Sequence, residues 1–327
     1  MPGAGLWMAP VNVLITGGLG FQGRHLTASL VGRGHTVTIV ATPSVRSREA
    51  AWDGSTTPGS SRPGARIVWG SVLNSQVIQA AVEEQDVIVH MAAMTNPEAC
   101  WERPYDAFAV NVGGTQTILE ALRETPCRLV HVSSCEVYGA PDLLDPSQDE
   151  ASPMRPSTVY AASKCAADRL VYAYTQSYDV RATIVRPCNI YGPGQRAGAH
   201  GGVIPTMVTR ALLKLSLQVR GRGEQRREYM HVTDVTDVYT RLVERDVSVP
   251  GGVINVGSGQ GVAVIDIARA IQRALGARID YVTARPGEVR EFRLDSSQAR
   301  RHGLLPSACV PFDRGLDDYI MWARTSS

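Results

Sequence analysis

Tyr160 and Lys164 stand four residues apart in YAASK, inside a segment that reads as helix from about 157 to 176. At that spacing the two side chains stack on one helical face. A phenol of ordinary pKa about 10 is a poor base at neutral pH, but an adjacent ammonium favours its phenolate. Such a pair suits removal of a proton from an alcohol undergoing oxidation. Of 33 basic residues only Lys164 and Lys214 are lysine, so arginine serves wherever a plain cation suffices and a surviving lysine points to chemistry.

A second reactive group lies in SSCEVYG, where Ser134, Cys135 and Glu136 follow the apolar run at 128 to 132. The hydroxyl can bond a substrate oxygen and the carboxylate can remove a proton. The thiol, mostly protonated at neutral pH, can donate one. If the strand continued through 136, Ser134 and Glu136 would share a face and Cys135 would point away. An acid role for Cys135 therefore requires the chain to leave strand geometry by 135. The alternatives are a small buried hydrophobe for Cys135 and a loop carboxylate satisfied by backbone donors for Glu136.

The elements that must position these groups follow the rhythm of a doubly wound parallel sheet. Apolar runs at 11 to 16, 36 to 40, 66 to 69, 86 to 90, 128 to 132 and 181 to 185 read as buried strands, most of them separated by helical patterns. Helices are expected at 21 to 31, after the Asn96-Pro97 cap, to about 124 through Ile118, Ala121 and Leu122, and from Val264 to Leu275 with Gly276 as the stop. Residues 43 to 64, rich in Ser, Gly, Pro and Arg, read as a long irregular loop. The expected division is a dinucleotide-binding domain over 1–188 and a smaller C-terminal α/β substrate lobe over 189–327, with some interleaving of the chain.

TGGLGFQG places Gly17, Gly20 and Gly23 where the first strand turns into the first helix. Glycines there permit a tight turn and a close approach of backbone N–H groups to a pyrophosphate, which points to a dinucleotide. The acidic residue that ordinarily ends the second strand is missing, since Ile39-Val40 runs into Ala41 and Thr42. Ser44, Arg46 and Arg48 lie just beyond and could instead meet a 2′-phosphate. NAD and NADP both stay open at this point.

A net charge of +2, with both signs scattered, argues for a small-molecule partner and against nucleic acid. No apolar stretch approaches a membrane span and MPGAGLWMAP lacks signal-peptide character, so a soluble, cytoplasmic protein is expected. Cysteines 100, 127, 135, 165, 188 and 309 show neither metal-ligand spacing nor disulfide density, so reduced thiols and no metal are expected.

Taken as a set, TGGLGFQG, HMAAM, NVGGT, SSCEVYG, YAASK, RPCNIYGPGQ, RREYMHVTDV, INVGSG and RPGE resemble, in order and spacing, the extended short-chain dehydrogenase/reductases that act on nucleotide sugars. The resemblance covers nearly the whole chain. It implies a tightly held NAD, with contacts from Gly17, Gly20, Phe21, Gln22, Gly23, Ala92, Ala93, Asn111, Tyr160, Lys164 and Pro187. Ser134 would bond the sugar hydroxyl, Tyr160 take its proton and Lys164 hold the cofactor ribose. Asn189, Arg227, Arg285 and Glu288 would grip a nucleoside-diphosphate sugar, and the chain would pair as a homodimer through two helices each. Ser71 departs from the family's acidic adenine contact, as Ala41 departs from its ribose contact.

Within this family, epimerases need only the oxidation, whereas dehydratases add a base and an acid after the catalytic hydroxyl. Ser134-Cys135-Glu136 fits the latter. With EQRREY and PGEVREFRLD it resembles most a dehydratase subgroup of nucleoside-antibiotic pathways such as that of tunicamycin. That implies UDP-N-acetylglucosamine as substrate and a 5,6-alkene as product. A C4-epimerase of UDP-sugars, a 4,6-dehydratase and a decarboxylase are the alternatives. A catalytically silent cofactor sensor is disfavoured because both Tyr160 and Lys164 are present.

Overall fold

The computed structural model describes residues 9–45, 65–141, 146–197, 202–247, 249, 252–284 and 289–326. Seven parallel strands form the main sheet in the order Val253–Val256, Ala182–Pro187, Arg128–Val132, Val87–His90, Asn12–Thr16, Thr36–Ala41, Ala65–Trp69. Register is continuous across it, with Ile15 opposite Ile39 on one side and Val89 on the other. Both faces are covered, which is why the strands read as unbroken apolar runs. Val13 and Ile15 enter one core cluster, while Leu14 between them enters the cluster on the opposite face with Ile118, Leu119 and Ile184.

Strand order reverses between Asn12–Thr16 and Val87–His90, so a crevice opens at their carboxyl ends. The glycine turn leaves from one of these strands and HMAAM from the other. A third core cluster, with Ile204, Val208, Leu217, Ile267, Ile271 and Tyr319, belongs to the C-terminal part of the chain. Small sheets accompany it: Gly261–Ala263, Arg226–His231 and Asn189–Tyr191 in one, and Ile279–Val282 with Leu217–Arg220 in another. The chain nonetheless returns to the main sheet at Val253–Val256, beyond 188.

Several expected elements shift slightly. The strand expected at 181 to 185 runs to Pro187, and the helix carrying Tyr160 and Lys164 spans Val159–Ser177, capped by the Thr158 side chain accepting from Ala161 N at 3.0 Å. Asn96 caps Pro97–Glu102 by accepting from Ala99 N at 2.7 Å, and Gly276 closes Val264–Leu275 in the left-handed conformation. The helix expected to reach 124 ends at Leu122 and is preceded by a π-helical turn, Ala109–Gly113. Of the expected loop, Pro43–Val45 forms a 3-10 turn, 46–64 lies outside the described residues and 65 already belongs to a strand.

Candidate active site

The chain leaves the first strand at Gly17 with φ +75°. A Cβ there would lie 2.9–3.0 Å from backbone atoms of Met91 and Ala92, so glycine lets the two strand ends converge. Gly20 N–H donates to Gly17 O at 2.9 Å, and a Cβ on Gly23 would meet that same oxygen at 2.3 Å. The helix that follows, Phe21–Gly32, has neither a side-chain N-cap nor an acidic residue in its first turn. Its leading N–H groups and dipole are therefore available to an anion, which fits the diphosphate of a dinucleotide. Phe21 packs edge-on to His25 with ring centroids 6.0 Å apart. The side-chain oxygen of Gln22 accepts from the Tyr239 hydroxyl at 2.8 Å, tying the turn to helix Val232–Glu244. Ala41 is buried, and Thr42 Oγ1 lies 2.9 Å from Ser44 Oγ, so hydroxyls stand where a carboxylate is usual. Ser71 Oγ accepts from Leu73 N at 3.2 Å; Arg46 and Arg48 lie outside the described residues.

A buried hydrogen-bonded chain connects this turn to the catalytic helix, and its polarity is fixed. Thr16 Oγ1 accepts from Ala92 N at 3.2 Å and lies 2.6 Å from His90 Nδ1. Thr115 Oγ1 donates to Asn111 O at 2.7 Å and so accepts from His90 Nε2 at 3.1 Å. His90 is thereby a neutral Nε2–H imidazole. Burial and the Lys164 charge lower its pKa to about 3. Asn111 spends its amide on Met94 N at 2.7 Å, Met94 O at 3.0 Å and Ser163 Oγ at 2.8 Å, so it ties the loop after His90 to the catalytic helix. Ala93 is half-buried in that loop, and Pro187 is buried opposite Val256.

The strand before SSCEVYG ends at Val132, and Ser134 caps a 3-10 turn over Cys135–Tyr138, accepting from Glu136 N at 3.2 Å. The chain has thus left strand geometry by 135. Tyr160 and Lys164 are both buried on the inner face of their helix, and the Ser134 hydroxyl acts on the Tyr160 phenol in the sense that favours its ionised form. Burial, together with the Glu136 charge, holds the Tyr160 phenol above its ordinary value. Lys164 Nζ donates to Val132 O at 2.5 Å; burial lowers its pKa to about 8, with Asp168 opposing the change. Burial also raises the Glu136 carboxyl, and Arg227 partly offsets it. Cys135 is 5% exposed in the main core cluster, its thiol pushed well up by burial, Glu136 and Glu228.

In the C-terminal part, Asn189 pairs with Tyr229 across the small sheet, and its amide donates to Glu228 O at 3.0 Å. Arg227 Nη1 donates to Val289 O at 2.8 Å, which fixes the chain beside the next motif. Arg285 and Glu288, in that motif, lie outside the described residues. The site accordingly brings together Ser134, Glu136, Tyr160 and Lys164, with Cys135 behind the turn and Arg227 within electrostatic reach. Sequence reasoning missed three groups that hold it. Asp168 follows Lys164 by one helical turn, a spacing that could have revealed it. Arg186, its buried partner, opened a recognised motif without a role. Glu228, fully buried, accepts from Gly259 N and from Leu294 N, the latter at 2.8 Å, and so joins two segments far apart in sequence.

A diphosphate cradle at the switch point of a doubly wound sheet, facing a Ser-Tyr-Lys set, defines a nicotinamide-dependent enzyme. The NAD dependent epimerase/dehydratase family matches residues 13–257, and the chain belongs to that family. It is 32% identical over 324 residues to the dTDP-glucose 4,6-dehydratase of Mycolicibacterium smegmatis, covering 97% of this chain and 94% of that one. Among solved structures it is similar to TunA, an NAD-dependent NDP-hexosamine 5,6-dehydratase involved in tunicamycin biosynthesis. The TM-score is 0.82 at 30% identity, covering 96% of this chain and 98% of TunA. DesIV, a dTDP-glucose 4,6-dehydratase from Streptomyces venezuelae solved with NAD, gives a TM-score of 0.84 at 29% identity, covering 96% and 97% of the two chains. Among the described residues no helix is long and apolar enough to cross a membrane.

Proposed function

We propose that the protein is a nucleotide-sugar dehydratase that forms a transient 4-keto sugar and eliminates water across C5 and C6. The proposed substrate is UDP-N-acetylglucosamine or a related UDP-hexose. The observation that carries this reading is Glu136, a half-buried carboxyl of raised proton affinity, in the turn capped by Ser134 and acting on the Tyr160 phenol. Similarity to TunA supports the 5,6 outcome and a setting in nucleoside-antibiotic synthesis; similarity to the dTDP-glucose enzymes supports elimination more broadly.

NAD, held by Gly17, Gly20 and Gly23 at the helix N-terminus, would supply the oxidant for C4 and later return what it took. Tyr160 accepts the C4 hydroxyl proton while Ser134 bonds that oxygen; the Lys164 ammonium and the positive charge that bound NAD would bring are proposed to offset the burial and the Glu136 charge that hold the phenol protonated. The resulting ketone acidifies the C5–H bond, whose proton Glu136 removes. The C6–O bond breaks with a proton from Cys135, so water leaves and a C5–C6 double bond forms. Tyr160 then returns its proton to the C4 oxygen. Asn189, Arg227, Arg285 and Glu288 are proposed to hold the nucleoside diphosphate. The chain is proposed to work in the cytoplasm as a homodimer joined through Gly114–Leu122 and Val159–Ser177, the latter presenting exposed Tyr172 and ending at exposed Tyr178.

One observation favours C4 epimerisation as a second reading: the Cys135 thiol lies in the core, and epimerisation needs no acid. Incubation with UDP-N-acetylglucosamine, UDP-glucose, UDP-glucuronate and dTDP-glucose in deuterated buffer separates the outcomes by product mass. Loss of water is expected; an isobaric product would establish epimerisation, and loss of carbon dioxide a decarboxylase. Glu136→Gln is expected to abolish water loss while leaving NAD binding intact, and undiminished dehydration would remove Glu136 from the reaction.

A further inference from the structure

Asp168 lies one turn beyond Lys164 on the catalytic helix and is completely buried. Arg186, 1% exposed, grips both of its oxygens, Nε to Oδ2 at 2.8 Å and Nη2 to Oδ1 at 3.0 Å. The Oδ2 that receives Arg186 Nε also accepts from Ser133 Oγ at 3.0 Å, and Ser133 is the residue immediately before Ser134. The remaining guanidinium nitrogen donates to the Tyr138 hydroxyl at 2.8 Å, at the far end of the same 3-10 turn. Tyr138 in turn donates to Asn255 Oδ1 at 2.7 Å, on the strand returning from the C-terminal part. One carboxylate thus ties both ends of the Ser134–Glu136 turn to the helix carrying Tyr160 and Lys164.

We propose that Asp168 is a positioning residue of this site: clamped by Arg186, it fixes the Ser134 turn through Ser133 and supplies the negative charge opposite the Lys164 ammonium. The proposal rests on the reading of Tyr160 and Lys164 as the reacting pair. The titratable groups that interact with the Lys164 charge are Asp168 on its own helix and His90 and His131 from two adjacent strands; Tyr160 stands one helical turn before it, and Glu136, on the turn, acts on Tyr160. Both histidines are neutral at neutral pH because burial lowers their pKa. Burial alone would drive Lys164 toward its uncharged form, and Asp168 acts in the opposite sense. For Asp168 itself, burial raises the pKa, but the Arg186 and Arg169 contacts outweigh it, so the carboxylate stays ionised.

Asp168→Asn alone leaves Arg186 buried without a counter-charge and so invites unfolding. The double variant Asp168→Asn/Arg186→Met removes both buried charges and leaves only the partly exposed Arg169 without its partner, yet it withdraws the charge facing Lys164. Because only two lysines exist, full-length protein labelled with 13Cε-lysine and carrying Lys214→Arg gives a single side-chain resonance, that of Lys164. Its titration midpoint is expected to move to lower pH by about one unit or more in the double variant. An unmoved midpoint would overturn the electrostatic part, and this readout does not depend on the substrate reading being correct. Ser133→Ala keeps the charge and cuts the tie. It is expected to leave the midpoint in place, lower kcat by about tenfold or more and leave KM unchanged, whereas wild-type kcat would overturn the positioning part. If wild-type protein turns over no nucleotide sugar, it is the functional reading that fails, and the lysine titration still decides the electrostatic claim.

Discussion

Thr115→Val tests the hydrogen-bonded chain through His90, because valine keeps the volume of threonine and removes only its hydroxyl. The Thr115 hydroxyl accepts from His90 Nε2 at 3.1 Å and donates to Asn111 O at 2.7 Å, and His90, Asn111 and Thr115 are all essentially inaccessible to water. Losing a net hydrogen bond costs about 1 kcal/mol, and leaving a buried N–H without an acceptor adds roughly 1–3 kcal/mol. The expected destabilisation is therefore about 2–4 kcal/mol, a factor of roughly 30 to 900 in the folding equilibrium. Urea unfolding should show a lower midpoint with an unchanged slope. His90→Phe in the Thr115→Val background should cost much less than the sum of the two single changes, since both polar partners are then gone. A Thr115→Val penalty below about 0.5 kcal/mol, or an imidazole whose 15N shifts show the Nδ1–H tautomer, would refute the assigned polarity.

Three further outcomes are expected. Gly23→Ala forces its Cβ away from Gly17 O, displacing the helix N-terminus; NAD affinity measured by fluorescence titration should fall by about a hundredfold, and wild-type affinity would exclude the cradle. Turnover should rise with pH as Glu136 ionises, at a pH above the ordinary carboxylate range. It should fall as Lys164 loses its proton near pH 8, so the kcat profile is a bell that loses its acid limb if another group is the base. Cys135→Ser should slow expulsion of the C6 hydroxyl while C4 oxidation, followed by absorbance of the reduced nicotinamide, proceeds normally; an unchanged rate would assign the thiol to packing.

Local patterns carried much of this protein into the sequence. Strands covered on both faces must be apolar at successive positions, so Asn12–Thr16 or Val87–His90 could be read directly. The Asn96 cap, the Gly276 stop and the Tyr160-Lys164 stacking are likewise properties of a few consecutive residues. The glycine spacing at 17, 20 and 23 disclosed the turn, and the tertiary structure gives its reason: the backbone of Met91 and Ala92 leaves no room for a side chain at Gly17. What no window could show was pairing across long separations. Asp168 with Arg186, His90 between Thr16 and Thr115, and Glu228 beneath Gly259 and Leu294 are each set by strand order and loop return. The surroundings of Cys135 were also set in three dimensions: folding placed the thiol in the core, where burial and nearby carboxylates keep it protonated, and left Glu136 acting on the Tyr160 phenol. Residue types and spacing thus determined which chemistry was available, whereas burial and the partners brought from distant segments decided which groups remain charged, because desolvation and counter-charges arise only when the chain closes on itself.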